Sequence, residues 1–193
     1  MKIRKLPSTK TAGKVLREFC DILDGMTIGY AIDGGTLLGM FRDGDFCQDD
    51  QDDIDITCTY SPIFMHEILD RACAAGFKIY KTWRDGIQST AQLSVKKSNV
   101  KIDLMFKRMK NGKVWWTVYR GKGLVYKAVD EKWWTEVHDI ETKYGPFHVP
   151  GKTDGHTEGY LSERYGDWKT PVHRDNYSCY STDKSIIKSY EEI

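Results

Sequence analysis

Residues 31–57 read AIDGGTLLGMFRDGDFCQDDQDDIDIT, and the reading of the whole chain turns on them. Gly34-Gly35 opens a stretch with helical spacing, and the aspartates that follow end in Asp53-Ile54-Asp55. Side chains alternate along a strand, so Asp53 and Asp55 project from one face, roughly 6–7 Å apart along it. Brought to about 4 Å at an effective dielectric near 20, two such charges repel by roughly 4 kcal/mol, and a cation between them removes that cost. Mg2+ typically takes one or two carboxylates together with substrate phosphates. Gly34 and Gly35 let a backbone approach a phosphate closely, and the first amides of a helix bind anions. The pattern suits metal-plus-phosphate chemistry.

Asp49, Asp50 and Asp52 read as a solvated acidic loop. Asp53 and Asp55 fit that description poorly, because Ile54 and Ile56 alternate with them and anchor the strand in a core. A calcium loop does not fit either: counting from Asp43, the sixth position is Gln48 rather than glycine.

Working outward, Ser8 or Thr9 caps a helix whose stripe is Val15, Leu16, Phe19, Ile22 and Leu23, ended by Asp24-Gly25. Thr27–Ile32 reads as a buried strand, Gly34–Phe41 as a short helix, Arg42–Gln51 as a polar loop and Ile54–Tyr60 as a second strand. Ser61-Pro62 opens a helix reaching Ala75. Phe77–Trp83, Ala91–Lys96 and Val100–Phe106 read as strands, the first two separated by Arg84-Asp85-Gly86. Asn111-Gly112 marks a hairpin between Lys101–Met109 and Lys113–Tyr119. Val114–Tyr126 is aromatic and β-prone, Phe147–Pro150 extended, Asp154–Tyr165 helical, and a short helix is expected near Ser185–Glu192. With no repeat or low-complexity linker, one α+β domain follows.

Asp103 stands inside the apolar run Val100–Phe106. A charge there must be paired, metal-bound or protonated. Beside the Asp53/Asp55 strand it would make a third carboxylate around one or two metals; the competing readings are an ion pair with Lys or Arg, or a solvent-facing edge. Arg42 offers a two-pronged contact for phosphate oxygens, or a salt bridge to a neighbouring aspartate. Trp115, Trp116, Tyr119, Trp133 and Trp134 form either a platform for sugars or part of the core. None of His66, His138, His148, His156 and His173 accompanies a nucleophile motif, although Asp154 and His156 precede the late helix and are candidates for the acceptor side.

A net charge of +1, with 40% hydrophobic and 30% charged residues among 193, describes a globular protein with no global field for nucleic acid or anionic membrane. No nucleic-acid partner is expected. No stretch approaches the ~18 apolar residues of a membrane span, and MKIRKLPSTK has no signal-like apolar run. Five cysteines without a C-x-x-C pair argue against a disulfide scaffold and for a reducing, cytoplasmic or intracellular location.

The segment Gly34-Gly35-Thr36-Leu37-Leu38-Gly39-Met40-Phe41-Arg42, with Asp53-Ile54-Asp55-Ile56, resembles the LicD/fukutin family, which often reads G-T-L-L-G-x-x-R, a short Gly-containing loop and D-D-D-I-D. Val149-Pro150, Gly159-Tyr160-Leu161 and Tyr165-Gly166-Asp167-Trp168 resemble its closing segment. The resemblance touches roughly residues 10 to 170. It implies a nucleotidyltransferase-like mixed β-sheet flanked by helices, with a C-terminal extension: one domain over 1–193, its catalytic core at about 10–107 and a substrate-side segment at about 108–170. It further implies Mg2+- or Mn2+-dependent transfer of a phosphorylated alcohol, such as phosphocholine or ribitol phosphate, from a CDP-activated donor to a glycan hydroxyl. Carried onto this chain, the metal and catalytic roles fall on Asp53, Asp55 and Asp103, the last as ligand or general base. Contact with donor phosphate falls on Gly34, Gly35, Thr36 and Arg42. The loop Gly44-Asp45-Phe46-Cys47-Gln48 is one residue longer than the family's and lacks its Pro-Trp, which leaves the transferred group open. Two other functions would use the same acids: a nucleotidyltransferase attaching NMP to another acceptor, and a non-catalytic module holding a glycan or nucleotide.

Overall fold

The computed structural model describes residues 6–84, 90–120, 123–174, 177–178 and 183–187. The N-terminal stripe forms α1 (Thr9–Asp24), capped by Ser8, whose hydroxyl oxygen accepts from the Thr11 amide. β1 (Tyr30–Ile32) runs through Asp33 into α2 (Gly34–Asp43), followed by β2 (Asp53–Thr59) and α3 (Pro62–Ala74), which has proline in its first turn. Five strands come next: β3 (Lys78–Arg84), β4 (Thr90–Lys97), β5 (Val100–Lys110), β6 (Lys113–Arg120) and β7 (Gly123–Asp130). The connection through Asp85-Gly86 lies outside the described residues. After a 3-10 turn at Glu131–Trp133 come the hairpin β8 (Val137–Thr142) and β9 (Gly145–Pro150), then α4 (Asp154–Tyr165). Short β10 (His173–Arg174), β11 (Tyr177–Ser178) and β12 (Ile186–Ile187) end the described chain.

The main sheet is mixed. Its path is β1-β2-β5-β6-β7-β12, with β4 also on β5 and β3 on β4. Among the described strands only β2 and β5 pair in parallel, in a register that sets Asp55 opposite Asp103 and Asp53 opposite Lys101. The long β5 does two jobs. Its first part lies between β2 and β4, and Arg108–Lys110 turn out to pair with β6. Helices α1 and α3 pack together, and Phe19, Leu23, Ile54, Ile102 and Phe106 join one apolar core under the sheet. The architecture is the expected α+β one, with a mixed sheet flanked by helices.

Gly39 explains the second glycine of the helix motif. A Cβ there would sit 2.5 Å from the Asp45 oxygen and the Cys47 nitrogen, so α2 touches its own following loop backbone to backbone.

Several expectations are corrected. β8 was not read from the sequence, because its side chains alternate between exposed and half-buried and its two apolar residues, Val137 and Ile140, fall on opposite faces. The run Val114–Tyr126 divides into the separate strands β6 and β7. In the tail, Ile186 and Ile187 are strand rather than helix; they pair with Lys127 and Tyr126, and Ser185 accepts from the Ala128 amide. An open edge of β7 outweighs the weak local helical tendency. The remainder of that expected helix lies outside the described residues. Asp50 and Asp52 are buried, not solvated. The loop folds back onto the sheet: Asp50 accepts from the Asp53 amide, and Asp52 from the Lys101 amide at 2.8 Å. Cys20, Cys58 and Cys73 are free thiols, while Cys47 is disulfide-bonded, which the scattered cysteine spacing did not signal. No helix among the described residues is long and apolar enough to cross a membrane.

Candidate active site

Strand parity and the β2/β5 register together place Asp53, Asp55 and Asp103 on one face. Each offers an oxygen, and these atoms all lie within 4.8 Å of one another. Asp103 is fixed from two sides: Ser94, its neighbour on β4, donates to Oδ1 at 2.6 Å, and Lys101 to Oδ2 at 2.9 Å. Lys101 also reaches Asp53 at 2.8 Å, so its ammonium bridges two of the three acids. Burial raises the Asp55 carboxyl well above its ordinary range, and Asp53 and Asp103 push it further. Burial raises Asp53 too, against the pull of Lys101 and with the push of Asp103. Lys101 is raised in turn, because Asp103 and Asp53 outweigh its burial. Such a cluster calls for positive charge, and an all-oxygen donor set suits Mg2+ or Mn2+.

Two hollows adjoin the acids and share Asp53, Gln92, Lys101 and Asp103 as a common wall. One, of about 200 Å3, is closed by Gly34, Asp55, Lys127 and Arg164. The other, of about 380 Å3, opens over β3 and β4.

Behind the first hollow lies a buried charge network that the sequence reading missed. Asp33, the residue before α2, accepts from Arg164 at 2.5 Å and from the Tyr160 hydroxyl at 2.6 Å, with Lys107 at 3.2 Å. Asp183 receives Lys127 at 2.5 Å and Arg164 at 3.4 Å. Burial alone would raise Asp33, but Arg164 and Lys107 hold it near 2. Burial lowers Lys107 to about 7, with Arg164 and Lys127 assisting and Asp33 opposing. Lys107 was within reach of the sequence, since it continues the odd-numbered series Lys101, Asp103, Met105 on β5. Arg164 and Asp183 left no local signal, as their partners are far away in sequence.

The sequence profile described as "LicD/FKTN/FKRP, nucleotidyltransferase domain" matches residues 27–151, more than half of the chain. The chain belongs to this LicD/FKTN/FKRP family. Solved structures give partial likenesses. A solution structure of the antibiotic-resistance factor ANT(2'')-Ia matches 52% of this chain and 49% of its own, with TM-score 0.41 and 13% identity. A crystal structure of ANT(2'')-Ia in complex with adenylyl-2''-tobramycin matches 52% of each chain, with TM-score 0.41 and 16% identity. The LicD-family chain thus covers about half the length of these structures. No curated protein matches it significantly.

Within the LicD domain the expected residues divide. Asp53, Asp55 and Asp103 meet. Gly34 lines the first hollow beside them. Thr36 is buried, and its hydroxyl oxygen accepts from the Asp55 amide at 2.9 Å, tying α2 to β2. Gly35 is buried in the same turn. Arg42 lines neither hollow; its guanidinium reaches Asp43 at 2.6 Å and the Trp168 carbonyl at 3.3 Å. Trp115 and Trp116 are buried and Trp133 and Trp134 are packed against the core, while the side chain of Tyr119 lies outside the described part. His138 bonds the Gly151 carbonyl and Asp154, His156 packs edge-on to Trp133, and neither lines a hollow beside the acids.

Gly34 has φ +58°, and a Cβ there would lie 2.7 Å from Asp55 Cγ, within the volume of the carboxylate itself. Gly34→Ala should therefore displace Asp55, whatever the gain in chain stiffness. Mn2+ affinity by calorimetry is expected to fall at least ~10-fold, with a loss of about 1–3 kcal/mol in urea unfolding. Unchanged Mn2+ binding would count against the tight fit between helix and carboxylate.

Proposed function

We propose that this LicD domain transfers a phosphorylated alcohol from a CDP-activated donor to a glycan hydroxyl, with Mg2+ or Mn2+ held by Asp53, Asp55 and Asp103. Residues 1–193 would form one catalytic domain, with the core at about 10–107 and the substrate side at about 108–170. The observation that carries the reading is the meeting of three carboxylates from β2 and β5 beside Gly34 and a hollow closed by two cations. When bound, the ion would offset charge on the reacting phosphoryl oxygens.

The chain's own residues then take definite tasks. Gly34 and Gly35 bring the start of α2 close to the donor phosphates. Lys127 and Arg164 face the same hollow and balance the charge of the diphosphate and of the departing CMP. The acceptor hydroxyl oxygen bonds to the phosphorus distal to cytidine, the bond from that phosphorus to CMP breaks, and the hydroxyl proton passes to a carboxylate of the cluster or to water. Ser94 and Lys101 hold Asp103 in place while this happens. Three mutually repelling acids serve no purpose in a module that only binds a glycan, which favours catalysis over that alternative.

The test is CMP release from CDP-choline, CDP-ribitol and CDP-glycerol, each with Mg2+ or Mn2+. At least one donor should be turned over, and EDTA should abolish release. Release from none of them, together with NMP transfer from CTP or ATP, would establish the nucleotidyltransferase alternative instead.

A further inference from the structure

The second hollow is built differently from the first. Beyond the shared wall its lining is Tyr80, Lys81, Trp83 and Lys96, the polar side chains Ser94 and Asn99, and the acid Asp52. The β3/β4 register skips one residue between Ile79 and Lys81. Tyr80 is therefore an extra residue in β3, and this bulge lets consecutive residues, Tyr80 and Lys81, line the same hollow. Bulges re-aim side chains in this way beside functional sites.

The two lysines are held by rings rather than by acids. Lys96 Nζ lies 3.7 Å from the centre of the Tyr80 ring, and Lys81 Nζ lies 5.0 Å from that of Trp83. Among the described residues neither has a carboxylate within ion-pair distance, whereas Lys101, on the shared wall, has two. A ring face stabilises an ammonium without neutralising it, so both keep a full charge for an incoming anion. With an ammonium over each ring, these faces are poorly placed to stack a nucleobase.

An in-line displacement sets the attacking and leaving oxygens on opposite sides of phosphorus, so donor and acceptor need separate berths flanking the acids. The hollow with Gly34, Lys127 and Arg164 suits a diphosphate. We infer that the hollow over β3 and β4 is the acceptor berth, and that its acceptor is an anionic sugar whose phosphate or carboxylate sits between Lys81 and Lys96. Gln92, Ser94 and Asn99 supply hydrogen bonds of the kind sugar hydroxyls use, and about 380 Å3 is room for one sugar unit. The assignment rests on the proposed transfer to a glycan, but the binding it expects can be measured without turnover.

Calorimetry with glucose 6-phosphate, glucuronate and glucose tests it, on the whole chain and on the double variant Lys81→Gln/Lys96→Gln. The wild type should bind at least one of the two anionic sugars at least tenfold more tightly than glucose; which one does so separates phosphate from carboxylate recognition. The double variant, matched to wild type in thermal midpoint, should lose that preference. Equal affinity for all three sugars in the wild type would overturn the inference, as would a preference that survives in the double variant. CMP, titrated alongside, should bind the double variant as tightly as the wild type; a tenfold loss of CMP affinity would place the donor in this hollow and overturn the inference as well. Because no outcome depends on CMP release, failure here is distinct from failure of the transferase reading.

Discussion

Asp55→Asn is expected to lower transfer by about a thousandfold or more, equivalent to ~4 kcal/mol of transition-state stabilisation, while leaving the fold intact. Asn has nearly the same shape. The backbone amide of Asp55, which anchors β2 to Thr36, is untouched, and the β2/β5 ladder does not involve the side chain. What disappears is one of three charges that converge within 4.8 Å. Burial and the charges of Asp53 and Asp103 already strain the Asp55 carboxylate, so without metal the variant should unfold no earlier than wild type. Mn2+ should then raise the thermal midpoint of the wild type but not of the variant, because only a ligand bound to the native state stabilises it. Substantial transfer by Asp55→Asn, measured as CMP release with the best CDP-alcohol, would remove the carboxylate cluster from the mechanism.

The acids of this cluster were legible because strand periodicity is a local rule. Asp53 and Asp55 are two residues apart, and Asp103 is conspicuous in an apolar strand; one parallel pairing then suffices to join them. The glycine pair was legible as a place of close approach, although what approaches Gly34 is the Asp55 carboxylate; the contact at Gly39 depends on where the following loop folds and had no sequence reading. Arg42 shows the limit of such reasoning. Its spacing from the glycine pair suggested phosphate, yet Asp43 beside it offers a carboxylate at 2.6 Å, and a neighbouring acid is a competitor that spacing alone cannot weigh. Besides Lys101, the cations that line the hollow with the acids, Lys127 and Arg164, come from β7 and α4. Nothing near them in sequence announces their shared partner, Asp183, which lies 56 residues from Lys127 and 19 from Arg164. The burial of Asp50 and Asp52 was illegible for the same reason: it depends on where a loop lands, and a run of acids looks solvated until the surface that receives it is known.

Arg164→Ala tests the other half of that architecture, and its expected effect is on stability first. Arg164 is almost fully buried and bridges Asp33 and Asp183. Its removal leaves two buried carboxylates short of a partner, and breaking a buried pair from one side costs about 3–5 kcal/mol, readable in urea unfolding. Arg164→Lys should recover part of this loss, because a single ammonium can serve one acid but cannot span both. Lys107 supplies a second readout. In the folded chain it titrates near 7, against an ordinary 10.5, so between those values the unfolded chain holds a proton that the folded chain has released. Stability therefore rises with pH across that window. Burial is the main cause of the shift and the like charge of Arg164 adds to it, so without the guanidinium Lys107 should titrate higher and the rise in stability above pH 7 should shrink. A loss below about 1 kcal/mol, with the pH slope unchanged, would mean that Asp33 and Asp183 are held by Lys107 and Lys127 alone, and that Arg164 is free to serve the hollow it lines.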